Sequence, residues 1–326
     1  MNSKLTQQQL QKFLDELDAL EQYRDLSDEE KEKIAKSILS SKYMDLRCDW
    51  AFKYILQNKE ILTMLLRDFI SEDIEHVEYL PNEIGRASES DKNIIMDVLC
   101  YAKSGQRFIV EMQCQHKTSF KNRMLYYGAS MLHTQLNRAA AYSTLMPVYV
   151  ICFTNFKLKH EADQLVYRYT LKERDTGELY NNLLTICFCE LPRLKAKKID
   201  GLNDIESWFY ILKNIHTFVG EPGDYGERYK SVMEAALLNP LPDANKLQYF
   251  RAMVSEEERR DIAEACYGDG FDDGMAQGKA EGLAEGLAEG KAEGKAEGLE
   301  QMAKALAQMG MFDADIQKAI ELAKNS

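Results

Sequence analysis

The sequence predicts an α/β sandwich with helical extensions at both ends. Three features carry that expectation. Between residues 46 and 153 the apolar pattern is helical, then strand-like in three segments, then helical, then strand-like again. The last of these segments, Pro147 to Phe153, is apolar throughout, as a strand covered on both faces must be. Residues 1–40 and those after Asn203 keep a helical period. A length of 326 residues at roughly 150 per domain allows about two domains, and 45% apolar with 29% charged residues excludes a disordered chain.

Taken in order, Leu10, Leu14, Leu17 and Leu20 recur at helical steps, and Ser27 with Glu30 three residues on forms a capping box that opens a second helix. Trp50, Phe52, Ile55, Ile61, Met64, Leu65 and Phe69 mark one or two buried helices. Ile74 to Leu80 alternates as a strand before Pro81-Asn82. Ile94 to Ala102 and Arg107 to Gln115 form a hairpin around Gly105, followed by a long helix over Phe120 to Tyr142 and the buried strand. Leu165 to Leu171 and Leu183 to Leu191 add two strands. This gives a helical N-terminal extension over 1–43, an α/β core over 44–200, a helical region over 201–267, a glycine-rich helix over 268–300 and a short helical hairpin over 301–326.

No apolar run exceeds nine residues, Leu145 to Phe153, whereas a membrane-spanning helix needs about 20. The N-terminus lacks the apolar stretch of a secretory signal, so the seven cysteines are expected reduced in a cytoplasm, with Cys187 and Cys189 on one strand face in the core. The net charge of −12 looks wrong for a nucleic-acid binder until it is divided. Residues 1–40 hold 9 acids and 6 bases, residues 256–326 hold 17 and 8, and the span between is neutral with 27 of each. Within it, Met112 to His160 contains no acid but carries Lys117, Lys121, Arg123, Arg138, Lys157 and Lys159. That stretch is either a phosphate footprint or a solvated helix face.

From Gly274 to Gly298 glycine recurs every fourth residue, in step with alanine and glutamate. Small residues at this spacing allow close helix approach, but glycine costs about 1 kcal/mol per residue in a helix relative to alanine. Self-association through a tetrad helix and a solvated spacer both remain open.

The residues that point to chemistry are acids placed inside apolar strands. Asp97 interrupts Ile94 to Cys100, and Glu111 interrupts Phe108 to Met112. A carboxylate in such a run is expensive unless it is paired or binds a cation. A two-residue turn at Ser104-Gly105 would point the acids apart, whereas a three-residue turn at Ser104-Gly105-Gln106, with a bulge near Gly105, sets Asp97 opposite Gln113 and brings both acids to one face. We expect the second. The two carboxylates and the Met112 carbonyl then suit magnesium, which prefers oxygen ligands and would activate a water and hold a scissile phosphate. The alternative is that Asp97 and Glu111 pair with Lys103 and Arg107 at the strand edge.

Asp97, a short turn and Glu111-Met112-Gln113, preceded by Asp49-Trp50-Ala51-Phe52-Lys53 and followed by Arg123, Tyr127 and the Tyr142 to Phe153 run, resembles the PD-(D/E)XK nuclease family transposases, the recombination-promoting nucleases. The resemblance spans about residues 44–300, tetrads included. It implies a restriction-endonuclease-like core of helix, three strands, helix and strand, and Mg2+-dependent DNA cleavage, with Mn2+ as a substitute. It makes Asp97 and Glu111 metal ligands and sets Gln113 where the wider superfamily has lysine. Lys53, Lys117 or Lys121 would then supply the missing positive charge. Asp49 and Glu60 are the acids a preceding helix offers to the metal, although we expect Asp49 to be the cap of the helix over Trp50 to Gln57.

On the helix after the site, Arg123, Tyr127, Ser130, Thr134 and Asn137 fall at steps of 3 and 4 and form a polar face for a DNA backbone, with Lys117 and Lys121 beside it. His116 is the nearest histidine and reads as a surface residue. Two functions follow. The first is a metal-dependent DNA endonuclease of recombination, transposition or defence. The second is a catalytically weak or inactive DNA- or protein-binding oligomer built on the same fold through its tetrad helix. No phosphate-loop, nucleophile-elbow or zinc-protease motif occurs, which leaves those classes without their residues.

Overall fold

The computed structural model describes residues 7–70, 72–84, 94–116, 119–136, 140–160 and 162–255, with isolated positions in 302–321. Residues 1–260 and 261–326 form two compact units. In the second, Met302, Lys304, Gln308, Gln317, Lys318, Ile320 and Glu321 are helical, as the sequence pattern requires. The glycine tetrads lie outside the described residues.

The first unit is organised by a six-stranded sheet. Its strands are β1 (Val77–Tyr79), β4 (Val98–Ala102), β5 (Arg107–Gln113), β6 (Val148–Thr154), β7 (Val166–Tyr169) and β8 (Leu184–Glu190). They lie in the order β1-β4-β5-β6-β8-β7, with β5, β6 and β8 parallel and the outer strands antiparallel. A separate ladder joins β2 (Glu83–Ile84) to β3 (Ile94–Ile95). The predicted strand over Ile94 to Ala102 is thus broken at Met96-Asp97.

Period two along β6 distributes the core. Val148, Val150 and Cys152 pack with Phe120, Met124 and Met131 of α5 (Phe120–His133). Tyr149, Ile151 and Phe153 face a larger cluster built from α3 (Asp49–Ile55), α4 (Lys59–Phe69), α6 (Asp204–Asn214) and α7 (Lys230–Ala235). This three-layer arrangement is why β6 and β8 read as apolar at every position. Cys187 and Cys189 fall on the second face as expected, fully buried and free. Phe52 is core, 5.7 Å from the Phe153 ring.

Gly128 lets α5 lie this close to the sheet. A Cβ there would sit 2.5 Å from Leu184 Cδ1 and 3.1 Å from Val150 Cγ2. The helix ends at His133, short of the Tyr142 expected from periodicity. The N-terminal helices α1 (Gln7–Ala19) and α2 (Asp28–Leu39) form the predicted hairpin, and Ser27 and Glu30 make the capping box. Phe13 and Leu17 complete a small core with Phe250 and Val254 of a helix over 243–255.

At the carboxyl ends of the parallel strands Gln113, Thr154 and Glu190 stand in register. Glu190 is fully buried and takes Arg193 Nε and His160 Nε2 at 2.5 Å each, and the Leu158 N–H at 3.1 Å. It fixes the segment after β6 against the end of β8. An acid within the apolar run Leu183 to Leu191 is the signal that marks it in sequence.

Candidate active site

The β4–β5 register is one residue pair tighter than the turn expected from sequence. The loop is Lys103-Ser104-Gly105, closed by Ala102 N–H to the Gln106 carbonyl at 2.9 Å, and Gly105 adopts φ +98°, where a side chain is strained. Val98 pairs with Val110, so continuing the register sets Asp97 opposite Glu111, not Gln113. The acids still converge, for a reason the turn alone does not supply.

Pairing of β4 stops at Val98, and the chain bends at Asp97. The Met112 N–H, left without a strand partner there, donates to Asp97 Oδ2 at 2.9 Å, and the Asp97 N–H donates to Glu111 Oε1 at 3.0 Å. Each carboxylate thus substitutes for a missing backbone acceptor on the neighbouring strand. The break serves the same end as a bulge, re-aiming a side chain. Because N–H and C=O of one residue share an edge of the strand, the Met112 carbonyl faces this gap too.

The alternative pairing with Lys103 and Arg107 is not found. Arg107 extends to Met131 Sδ and Thr134 Oγ1. Asp97 is paired instead with Lys53 of α3, whose Nζ lies 2.9 Å from Asp97 Oδ1 and 2.9 Å from Asp49 Oδ2. Asp49 is not the helix cap. Cys48 holds that position without a side-chain capping hydrogen bond, and Asp49 is the first helical residue, with its carboxylate turned to the fourth residue on. Glu60 lies exposed in the first turn of α4 and takes no part.

Across the cleft, α5 supplies Arg123 and Tyr127. Arg123 donates to Gln113 Oε1, and Tyr127 donates to the Ile95 carbonyl at 3.3 Å. Asp49, Asp97, Glu111, Met112, Gln113, Arg123 and Tyr127 line one cavity of about 250 Å3. Lys121 is exposed on α5 outside it, Lys117 lies outside the described residues, and His116 is exposed with its edge on Phe156. Of the polar face foreseen on α5, Arg123, Tyr127 and Ser130 form a half-buried flank, Thr134 is exposed just past the helix end, and Asn137 lies outside the described residues. The outward face carries Lys121, Asn122, Leu125 and Tyr126. Arg123 therefore belongs to the site itself, which its step of four to Tyr127 did not distinguish from a surface position.

Burial, then the nearby Asp49 charge, pushes the Asp97 carboxyl up to about 6 against the pull of Lys53 and the Met112 N–H. Glu111, 5% exposed, is pushed up to about 8 by burial and then by Asp97, opposed by the Asp97 N–H, Arg123 and Lys53. Burial disfavours the Lys53 ammonium, but Asp97 and Asp49 hold it above its ordinary value. Two acids that burial and mutual repulsion both penalise, with only oxygens presented, are a donor set that a hard divalent cation satisfies. Glu111 Oε2 carries no hydrogen bond among the described residues. Also among the described residues, no group of three His, Cys, Asp or Glu side chains could hold an ion. The residues fit magnesium, which keeps waters and substrate oxygens in its remaining positions.

A mixed sheet covered on both faces, with paired acids at a broken edge and a cleft above them, is the architecture of a restriction-endonuclease-like nuclease core. Residues 46–261 match the family model of the PD-(D/E)XK nuclease family transposases, and the chain belongs to that family. Neither the curated proteins nor the solved structures give a match. The family implies nuclease activity with DNA as substrate, and its nucleases generally use divalent metals. Among the described residues no helix is long and apolar enough to cross a membrane.

Proposed function

We propose that the protein is a magnesium-dependent DNA endonuclease acting in recombination, transposition or defence, with manganese able to replace magnesium. The observation that carries this reading is the reciprocal lock between half-buried Asp97 and buried Glu111 inside the cavity, in which Asp97 accepts the Met112 N–H and Glu111 accepts the Asp97 N–H. Such a lock aims both carboxylates at one point and leaves them electrostatically unsatisfied. Asp97, Glu111 and the Met112 carbonyl would hold the metal. When bound, Mg2+ supplies Lewis-acid polarisation of a phosphoryl oxygen and a more acidic water.

The chain's own residues do the rest. Lys53 orients Asp97 and balances part of its charge, and Asp49 holds Lys53 from the other side. Gln113, at the lysine position of the wider superfamily, offers no charge and cannot act as a base at neutral pH. Lys117, Lys121, Arg123 and Tyr127 would contact the DNA backbone, fixing position without reading sequence. The tetrad helix over 268–300 would join copies of the chain, placing two sites on one duplex. The active protein would work in the cytoplasm.

Supercoiled plasmid incubated with Mg2+ or Mn2+ tests the activity. Nicking by wild-type protein that Asp97→Ala and Glu111→Ala abolish is expected, and equal behaviour of wild type and both variants would overturn it in favour of a binding-only oligomer. Light scattering on the chain with and without residues 274–298 tests assembly, since an unchanged mass removes the tail from that role.

A further inference from the structure

Among the described residues three cations, Lys53, Lys121 and Arg123, are candidates to serve the site, and the geometry distinguishes them. Lys53 is held by two carboxylates at 2.9 Å each, so its charge is committed to the acids. Lys121 is exposed and does not line the cavity. Arg123 lines it, and among the described residues no carboxylate pairs with it. Among the described residues its one hydrogen bond is to a neutral acceptor, Gln113 Oε1.

Two further features set Arg123 apart from a surface arginine. Among the described residues its Nε is buried without a hydrogen-bond partner, a cost that an arginine with only a structural role would avoid by turning outward. Its guanidinium is flanked by the Phe120 and Tyr127 rings at 5.8 and 6.0 Å, which remove water and fix its plane. A guanidinium has five donors in a rigid fork matched to phosphate. Here most of that fork is unspent, in a cavity shared with Asp97 and Glu111.

We propose that Arg123 is the catalytic cation of this site, contacting the scissile phosphate, and that Gln113 is a positioning residue which aims it. The glutamine at the superfamily's lysine position then is not a lost group. It has passed the charge to the facing helix, and its carbonyl holds the arginine that carries it. This rests on the nuclease reading above, and the test separates the two.

Plasmid cleavage with Mg2+ is measured for wild type, Arg123→Ala, Gln113→Ala, Gln113→Ala combined with Arg123→Ala, and the double variant Gln113→Lys with Arg123→Ala. Binding of a short duplex is measured by fluorescence anisotropy with Ca2+ in place of Mg2+. Arg123→Ala is expected to lower kcat roughly 100-fold with KM changed far less, as for loss of one electrostatic contact to a transition state. Millimolar guanidinium should restore at least about a tenth of the loss, and a tetraalkylammonium ion should not, which also shows that the variant is folded. The double variant should recover activity through its new lysine. Gln113→Ala should reduce kcat in the wild-type background and change nothing once Arg123 is gone, the coupling expected of residues acting as a unit.

Cleavage by Arg123→Ala within about threefold of wild type, or a loss that neither guanidinium nor the double variant repairs, overturns the proposal. If the wild type itself does not cut, the nuclease reading falls and anisotropy decides Arg123 alone. Affinity of Arg123→Ala within twofold of wild type then overturns the phosphate contact, and a larger loss supports it.

Discussion

Replacing Asp97 by asparagine is expected to stabilise the metal-free protein while it removes cleavage. Asparagine keeps an oxygen for the Met112 N–H, which Asp97 accepts at 2.9 Å, so no buried donor is orphaned. What disappears is a carboxylate, 12% exposed at its side chain, that burial and neighbouring acids push from 3.8 to about 6. A shift of about two units corresponds to a ceiling on the order of 3 kcal/mol. Against this, Lys53 loses one of its two carboxylates, an interaction of about 1 kcal/mol at its degree of exposure. The net gain is roughly 1–2 kcal/mol, or a few degrees in Tm for a unit of this size.

The sign follows from the raised value. The folded protein holds this proton more tightly than the unfolded chain, so wild-type stability falls as pH rises from about 4 through about 6, and the penalty is complete above that. Thermal unfolding in EDTA at pH 8 and at pH 4 gives the assay. The gain should appear at pH 8, vanish at pH 4, and reverse at pH 8 when Mg2+ is added, because only the wild type then keeps its ligand. An Asp97→Asn protein less stable than wild type at pH 8 in EDTA, or equally stabilised at both pH values, would refute the picture of two acids in unrelieved conflict.

The remaining expectations concern the scaffold. Gly128→Ala gains about 1 kcal/mol of helix propensity but drives a methyl to 2.5 Å from Leu184 Cδ1, an overpacking cost of about 1–3 kcal/mol, so urea unfolding should show a net loss and plasmid nicking should fall as α5 lifts Arg123. Burial, outweighing the pull of Asp45, holds the His216 imidazole below its ordinary value. Burial would raise Asp45, but hydrogen bonds and charge from Arg47 hold it low. Both are groups that the unfolded chain protonates first, so their contribution is lost below about pH 6.5 for His216 and below about 4 for Asp45. A His216→Gln chain should lose less stability than wild type between pH 7 and 5. Glu190→Ala breaks a buried ion pair at a cost of about 3–5 kcal/mol, and hydrogen exchange at Leu158 and its neighbours should quicken.

Much of the fold was legible in the sequence because its signals are local. The apolar run Phe108 to Met112 broken only by Glu111, unbroken apolarity along Val148 to Phe153, and the Ser27 and Glu30 cap each report a burial pattern or hydrogen bond a few residues long. The acids at 97 and 111 stood out for a thermodynamic reason, since an uncompensated charge in an apolar run is too costly to be incidental. Glu190 obeys the same rule and shows its limit. The rule finds buried acids, but does not separate one neutralised by Arg193 from two left in conflict.

That distinction belongs to tertiary structure. A loop one position away from the expected turn changed which residue Asp97 faces, and the break at Met96-Asp97, which depends on where β4 stops pairing, aimed the carboxylate. Lys53 reaches the site from a helix on one face of the sheet and Arg123 from a helix on the other. The residue types that make the chemistry were therefore fixed along the chain by what each strand must bury. Their partners, charges and common target were fixed only when helices more than sixty positions apart closed on opposite sides of one sheet, because electrostatic interaction depends on distance in space and not on distance in sequence.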